Sequence, residues 1–225
     1  MTDFKVLTDR DHILLRPAMY IGSTTLEEHQ QFISGQWTEL KYSSGLVKII
    51  NEIIDNSVDE AIRTKFKFAN KIDVQINNEK VSVSDNGRGI PQDLIETPEG
   101  EKLLRPVLAW TRTKAGSNFS NDRVTVGMNG VGSSLTAIFS KEFTGITSDG
   151  KNEVLVQINN NADDINWTQK KSASMGTTVS FKPDLKRFDC SEISTDVEKA
   201  FDKIQHPLMT KNSQQIVYTR NIPQN

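Results

Sequence analysis

The segment from Ser44 to Arg63, SGLVKIINEIIDNSVDEAIR, carries the strongest periodic pattern in the chain. Apolar and small side chains recur in it at helical spacing, at Leu46, Ile50, Ile53, Ile54, Ser57, Val58 and Ala61. This spacing predicts an amphipathic helix that buries one face. The opposite face carries, at i, i+3, i+4 and i+7, the residues Glu52, Asp55, Asn56 and Asp59. Side chains at this spacing lie next to one another, so their like charges repel.

Two interpretations of this polar face are open when the helix is considered alone. The simpler one is a solvated acidic surface. Against it, Asn56 is a mediocre helix former that stands in mid-helix beside carboxylates. An amide oxygen among acids suits a hard cation such as Mg²⁺, and Glu52, one turn earlier, is free to act as a base.

Composition limits the classes of function. The chain has 225 residues, of which 25% are charged, and its formal net charge of -2 gives no overall attraction to nucleic acid. Its length is ample for a real core. The single cysteine, Cys190, excludes an internal disulfide and fits a reducing compartment. Because the sequence has neither a signal peptide nor an apolar run of membrane-spanning length, it predicts a cytoplasmic location and no membrane partner.

A β-hairpin is predicted directly after the helix. Residues 72–76 and 81–83 alternate apolar and polar side chains, and Asn77-Asn78 supplies a turn between them. The second strand runs into the sequence SDNGRGIP at 84–91.

The glycines of this motif, Gly87 and Gly89, permit positive φ or a close approach of the backbone to a flat ligand. Asp85, at the end of the strand, is in position to accept a hydrogen bond from an exocyclic amine. An ordinary Asn-Gly turn is the competing interpretation.

A glycine-rich turn, VGMNGVGSS at 126–134, precedes a helical pattern at 135–139. Free backbone N–H groups at a helix N-terminus form a good phosphate cradle. The turn is neither a Walker A sequence nor a convincing Rossmann fingerprint, and a helix cap or hinge is the alternative. The preceding stretch, 91–130, has no clear periodicity and is interpreted as a lid or a disordered loop.

Further strand patterns define the fold class. They lie at 143–147, 154–158, 177–181 and 214–219. A capping-box pattern from Thr195 to Glu198 opens one more helix. Since strands and helices do not alternate strictly, the sequence predicts an α+β protein with a sheet layered against helices.

Residues 1–43 are interpreted as a mostly irregular N-terminal arm. Within it, the compact RPAMYIG motif at 16–22 is expected to pack against the body of the protein. Trp37 and Tyr42 are candidate anchors for the arm.

Five stretches in this order resemble a known family. They are RPAMYIG, EIIDNSVDEA, SDNGRGIP, VGMNGVGSS and GTTVSF. The last four resemble the nucleotide-binding boxes of the GHKL (Bergerat-fold) ATPases, and all five resemble the ATPase region of type IIA DNA topoisomerases. This is the gyrase B and topoisomerase II group, which includes the large subunits of tailed bacteriophages.

The resemblance covers essentially the whole chain and implies both fold and function. The implied fold is a two-layer α/β sandwich, with a mixed, mostly antiparallel sheet covered by helices, over residues 44–225. The implied function is an ATP-hydrolysing clamp module that couples ATP to DNA strand passage in the full enzyme.

The resemblance also implies individual roles. Glu52 is the general base for the attacking water, and Asn56 is the ligand of Mg²⁺. Asp85 accepts from the adenine amino group, and Thr177 assists through a water. Gly89 leaves room for the base.

Other matching residues complete the implied nucleotide site. Arg88 is expected to pair with Glu60 at its edge. The remaining members of the nucleotide-binding set are Ile90, Ser117, Asn118, Asn129, Gly130, Val131, Gly132 and Ser133. At Ser117-Asn118 and Asn129 the chain is more similar to eukaryotic enzymes than to bacterial gyrases, which carry lysine and histidine there.

The implied partners are a second copy of the ATPase domain, the rest of the topoisomerase, and DNA through the full enzyme. In the family, the N-terminal arm contributes to an ATP-dependent homodimer, and a lysine of a following transducer domain completes hydrolysis. The chain is expected to lack the transducer, cleavage-reunion and DNA-gate regions.

Three other functions account for only part of the sequence. A histidine-kinase catalytic domain usually lacks a carboxylate base at the position of Glu52. A chaperone or mismatch-repair clamp does not account for RPAMYIG. A non-catalytic metal protein leaves both glycine motifs unexplained.

Overall fold

The computed structural model describes residues 7–33, 35–113, 132–201 and 215–220. The helices in these residues are α1 (Asp9–Leu15), α2 (Ser44–Arg63), α3 (Arg105–Thr111), α4 (Gly132–Ile138) and α5 (Thr195–Phe201). The strands are β1 (Glu27–Ile33), β2 (Gln36–Tyr42), β3 (Lys71–Ile76), β4 (Val81–Asp85), β5 (Leu94–Glu96), β6 (Lys102–Leu104), β7 (Ser140–Asp149), β8 (Asn152–Asn159), β9 (Asp164–Lys171), β10 (Met175–Pro183) and β11 (Gln215–Arg220). Among these helices, none has the length and apolarity that a bilayer crossing requires.

One mixed sheet contains seven of the strands, in the order β11-β3-β4-β10-β7-β8-β9. Neighbouring strands run antiparallel, except for the parallel pair β11 and β3. The predicted hairpin at 72–83 is confirmed as the β3–β4 pair. Helix α2 packs on β3, β4 and β10, and contacts α4 and α5. The predicted two-layer α+β fold is therefore confirmed.

Alternation along the strands separates the two faces of the sheet. On the inner face, Val83 and Val179 are buried beneath the helices. On the outer face, Ser84 and Thr178 join their hydroxyl groups across β4 and β10 at 2.8 Å. Since successive side chains of a strand point to opposite faces, the same strands supply both a core and a polar surface.

Helix α2 has the predicted bounds and buries the predicted stripe. Leu46, Ile50 and Ile54 are fully buried, and Ile49 joins them. Because an apolar stripe at this spacing must face the core, the helix lies with Glu52 and Asn56 directed towards α4.

Trp110, from α3, closes the core above β7. Its side chain is 2% exposed and meets Phe143 edge to face, with ring centroids 6.2 Å apart. The ring lies against Gly145, where an added Cβ would come within 2.5 Å of it. A residue without a side chain at this position lets the indole approach the strand.

The N-terminal arm is more regular than the sequence suggested. Instead of a mostly irregular segment, it contains α1, a 3-10 turn and the antiparallel β1–β2 hairpin. Ile21 and Tyr42 are buried, as expected for a packed arm. The expectation for Trp37 was wrong, since this side chain is 71% exposed and contacts Phe32 at the end of the hairpin.

The interpretation of 91–130 as one irregular stretch was also wrong in its first part. Strands β5 and β6 form a hairpin, and α3 follows them directly. Their elements are too short to show a period in sequence. The rest of this proposed lid or loop, 114–130, lies outside the described residues.

We expect the two tryptophans to differ sharply in their effect on stability. Trp110→Ala should lower the free energy of unfolding by ~3–5 kcal/mol, because it empties a packed site in the core. Trp37→Ala is the matched control, and should change it by about 1 kcal/mol or less, since the side chain is mostly in solvent. Urea unfolding of both variants measures this, and equal losses would contradict the packing described for α3.

Candidate functional site

A cavity of about 1000 Å³ lies between α2, α3 and the ends of the central strands. Its walls combine apolar side chains with a few polar groups, as ligand sites usually do. The polar residues around it include Asn56, Ser57, Asp59, Glu60, Asp85, Arg88, Ser133, Asp149 and Thr177. Apolar surface comes from Ile53, Val83, Ile90, Pro91, Trp110 and Val179.

Asp85 ends β4 at one side of this cavity. The Ser57 hydroxyl donates to its Oδ2 at 2.6 Å, and the Gly87 N–H donates to Oδ1 at 2.8 Å. The carboxylate oxygens keep lone-pair capacity beyond these bonds. Asp85 is thus an oriented acceptor with room for a donor from a ligand.

Burial raises the pKa of the Asp85 carboxyl above its ordinary value. Hydrogen bonds from the Ser57 side chain and from the backbone at Gly87 and Thr177 act in the opposite direction, because they favour the charged form. The nearby charge of Glu60 adds to the increase. The site therefore holds a carboxyl group in surroundings where a hydrogen bond from a ligand counts for more than it would in water.

Thr177 is the register partner of Asp85 in the neighbouring strand β10. Its Oγ1 lies 3.0 Å from Oγ1 of Thr147, which is the next side chain across the sheet, in β7. Thr147 also accepts a bond from the Ile90 N–H at 2.8 Å. The row therefore ties the Gly89–Ile90 segment to the wall of the cavity.

Gly89 adopts φ of +74°, a region that favours glycine. A Cβ there would overlap the carbonyl of Ser148, so the segment can lie against β7 only with glycine at this position. Beside it, Arg88 donates to Glu60 through Nε at 2.7 Å and Nη2 at 3.1 Å. The predicted Arg88–Glu60 pair is present, and this bidentate bond raises the pKa of the arginine.

Helix α2 meets α4 at a second group of polar residues. The Asn56 amide nitrogen donates to Oγ of Ser133 at 2.7 Å. Its oxygen Oδ1 has no hydrogen-bond partner within the described ranges. The amide is therefore fixed by one end while the other end is available to a ligand.

Glu52 lies one turn before Asn56, with its side chain 17% exposed. Lys48, four residues earlier on the same helix, forms an ion pair with Oε1. Oε2 packs so closely on Gly132 that a Cβ there would overlap the carboxylate. The carboxylate of Glu52 is consequently held between a cation and the first residue of α4.

Most of the sequence-predicted site residues within the described ranges come together around one space. Asn56, Asp85, Arg88, Gly89, Ile90, Ser133 and Thr177 line the cavity. Glu52 and Gly132 contact each other beside it. Ser117, Asn118, Asn129, Gly130 and Val131 lie outside the described residues, and so does the turn at 126–131.

Sequence reasoning missed three contributors. Ser57 was counted with the buried stripe of α2, although a hydroxyl in such a stripe signals a buried partner. Thr147 follows Phe143 and Gly145 on the inner face of β7, so the strand alternation marks it as a polar residue facing inward. Lys48 is the third, and its position four residues before Glu52 is the spacing at which a helix forms ion pairs.

Cys190 takes no part in this site. Burial raises the pKa of its thiol to about 11. The thiol therefore stays protonated at neutral pH, as expected for a passive residue.

Histidine kinase-, DNA gyrase B-, and HSP90-like ATPases form the family that matches residues 42–187. The matched segment spans α2, the central strands and the residues that line the cavity. The chain belongs to this family.

DNA topoisomerases are among the members of the family that this chain is similar to. The DNA topoisomerase large subunit of Enterobacteria phage T4 is 54% identical over 194 residues, which cover 85% of this chain and 38% of that protein. DNA topoisomerase 2 of Candida glabrata is 36% identical, over 86% of this chain and 14% of that protein. The chain thus spans much less than two thirds of either relative.

Solved structures agree with this similarity. The ATPase region of Saccharomyces cerevisiae topoisomerase II matches with a TM-score of 0.75 at 29% identity. The match covers 97% of this chain and 60% of that chain. Fold and sequence both indicate the ATPase region of type II topoisomerases.

The Ser57–Asp85 bond makes a testable prediction about protonation. Ser57→Ala should raise the pKa of Asp85 further, because it removes a donor that favours the carboxylate while burial persists. Titration of the Asp85 carboxyl by NMR measures the shift. Ser82→Ala, on the outer face of the same strand, is the control and should leave the pKa in place. An unchanged pKa in Ser57→Ala would contradict the described role of the bond.

Proposed function

We propose that the chain is the ATP-binding and ATP-hydrolysing clamp module of a type II DNA topoisomerase. The observation that carries the proposal is the arrangement around α2. A partly buried acceptor, Asp85, is held by Ser57 of the helix, and the neighbouring Asn56 faces α4 together with Glu52. One cavity therefore offers a subsite for a base next to groups suited to hydrolytic chemistry.

The base subsite suits adenine. Asp85 accepts from the 6-amino group, and Gly89, which packs on the Ser148 carbonyl, lies in the cavity wall beside it. Guanine presents a carbonyl oxygen at the same place, which would leave two acceptors opposed. Thr177, beside Asp85, contributes its hydroxyl to the same edge of the base.

The part of the cavity next to Asn56 suits a magnesium ion bound to phosphate. Mg²⁺ binds hard oxygen ligands and usually keeps waters and substrate phosphates around one or two protein groups. Oδ1 of Asn56, which has no hydrogen-bond partner among the described residues, fits this role, since Ser133 holds the amide nitrogen. No cluster of three or more His, Cys, Asp or Glu side chains suitable for a metal occurs in the described ranges. When bound, the ion neutralises phosphate charge and orients the reacting group.

Glu52 is the proposed general base. It takes a proton from the water that attacks the terminal phosphate, so it must be ionised and oriented before the reaction. The ion pair with Lys48 and the contact with Gly132 fix the position of the carboxylate, as this role requires. The phosphates are assigned to the glycine-rich turn at 127–132, for which the sequence motif and the position of Gly132 are the support.

The module is proposed to work as part of a larger, dimeric enzyme. Residues 1–43 form the arm and 44–225 form the GHKL domain, with DNA strand passage carried out by the full protein in the cytoplasm. A second copy of the domain is the proposed ATP-dependent partner. Within the arm, Leu15 and Met19 support this, because they are 65% and 68% exposed and offer apolar surface to a partner.

Glu52→Gln should separate binding from hydrolysis. Loss of a positioned base typically slows a reaction by ~10²–10⁴-fold, while ATP and Mg²⁺ binding should stay within about threefold of wild type. Steady-state turnover at saturating ATP and calorimetry with a non-hydrolysable analogue measure the two effects.

Glu142→Gln is the control for that experiment. Glu142 pairs with Lys182 on the outer side of the sheet and does not line the cavity, so turnover of this variant should match wild type. Hydrolysis by Glu52→Gln at the wild-type rate would rule out the proposed base.

The arm should contribute to dimerisation. We expect the double variant Leu15→Ser, Met19→Ser to weaken the dimer formed with a non-hydrolysable analogue and Mg²⁺ by about tenfold or more, which corresponds to ~1.4 kcal/mol. Sedimentation velocity measures the dimer. Leu94→Ser removes an equally exposed leucine from β5 and should have no effect. If both variants dimerise equally well, the arm is not the interface.

A further inference from the structure

Three polar residues form one row across the inner face of the sheet. Thr177 is the register partner of Asp85 on one side and of Thr147 on the other. Asp85 and Thr177 line the cavity, whereas Thr147 is fully buried behind Thr177 and cannot touch a ligand. Any effect of Thr147 on binding must therefore pass through its neighbours.

The hydrogen bonds around Thr147 have a fixed direction. The Ile90 N–H can only donate, and it donates to Thr147 Oγ1 at 2.8 Å. The proton of the Thr147 hydroxyl then needs an acceptor, because an unpaired buried donor costs ~1–3 kcal/mol. Within the described parts of the chain, that acceptor is Thr177 Oγ1 at 3.0 Å.

This direction determines what Thr177 offers to the cavity. A hydroxyl group has one proton, and its oxygen accepts at its lone pairs. Since Thr177 already accepts from Thr147, its own proton is free to donate into the cavity. The wall then presents an acceptor at Asp85 beside a donor at Thr177.

We propose that Thr147 is a positioning residue for nucleotide specificity, which sets Thr177 as a donor. An acceptor next to a donor complements the amino group and ring N1 of a 6-aminopurine. A 6-oxopurine presents the opposite pattern, a carbonyl acceptor next to an N1–H donor, and is mismatched at both positions. The inference rests on the proposed function, in which Asp85 receives the base of ATP.

The test compares nucleotides that lack one hydrogen-bonding group each. The probes are ATP, its 1-deaza analogue, in which C–H replaces N1, and the analogue without the 6-amino group. In wild type, each analogue should bind about tenfold more weakly than ATP. We call these two losses of affinity relative to ATP the 1-deaza penalty and the amino penalty. In Thr147→Val, the 1-deaza penalty should fall to within about twofold, whereas the amino penalty should stay at about tenfold. Calorimetry gives all the dissociation constants.

A conservative variant and a control variant distinguish the proposed positioning role of Thr147 from a general loss of structure. Thr147→Ser keeps the hydroxyl and should restore the 1-deaza penalty. Thr178→Val makes the same change on the outer face, where Thr178 bonds Ser84, and should leave both penalties at wild-type size. If Thr147→Val does not fold, Thr147→Ala takes its place. The same fall in the 1-deaza penalty is expected for it.

The outcomes separate the two proposals. A full 1-deaza penalty in Thr147→Val or Thr147→Ala, or no such penalty in wild type, overturns the role of Thr147. Wild type that binds ATP no better than the analogue without the amino group overturns the assignment of Asp85 instead. That second result is visible before any variant of Thr147 is made.

Discussion

The packing of α2 between the sheet and α4 is the contact on which the whole site depends. Its apolar stripe can be buried in only one orientation, and burial at ~25 cal/mol per Å² makes the alternatives costly. With the stripe facing the sheet, Ser57 reaches Asp85 while Asn56 reaches Ser133. A rigid helix with a rise of about 1.5 Å per residue then sets the distance between the base subsite and the proposed hydrolytic pair.

Buried polar groups give this site its precision because each must find a partner. Asp85 is oriented by Ser57 and Gly87, and the Thr147 hydroxyl takes its direction from the Ile90 N–H. In a medium of low polarity, an unpaired group would cost more than a typical bond contributes. The requirement that buried polar groups be hydrogen-bonded therefore also orients the donors and acceptors that face the cavity.

Close approaches between backbones and side chains shape the walls of the cavity. Glu52 fits against Gly132, and Trp110 fits over Gly145, in each case where a Cβ would overlap its neighbour. The fold of the Saccharomyces cerevisiae ATPase region persists at 29% identity. This is what we expect when a few buried contacts, and not the bulk of the surface, define an architecture.

The sequence by itself determined the elements whose signals are local. The period of α2, the β3–β4 hairpin and the Asp85 and Gly89 positions follow from spacing within one segment, and the structure places them as predicted. The tertiary structure alone decided the β1–β2 hairpin, the burial of Trp110 and the role open to Thr147. The burial of Trp110 and the contacts of Thr147 depend on segments that are distant in sequence, and a polar residue such as Thr147 acquires a hydrogen-bond direction only when Ile90 and Thr177 are brought to it.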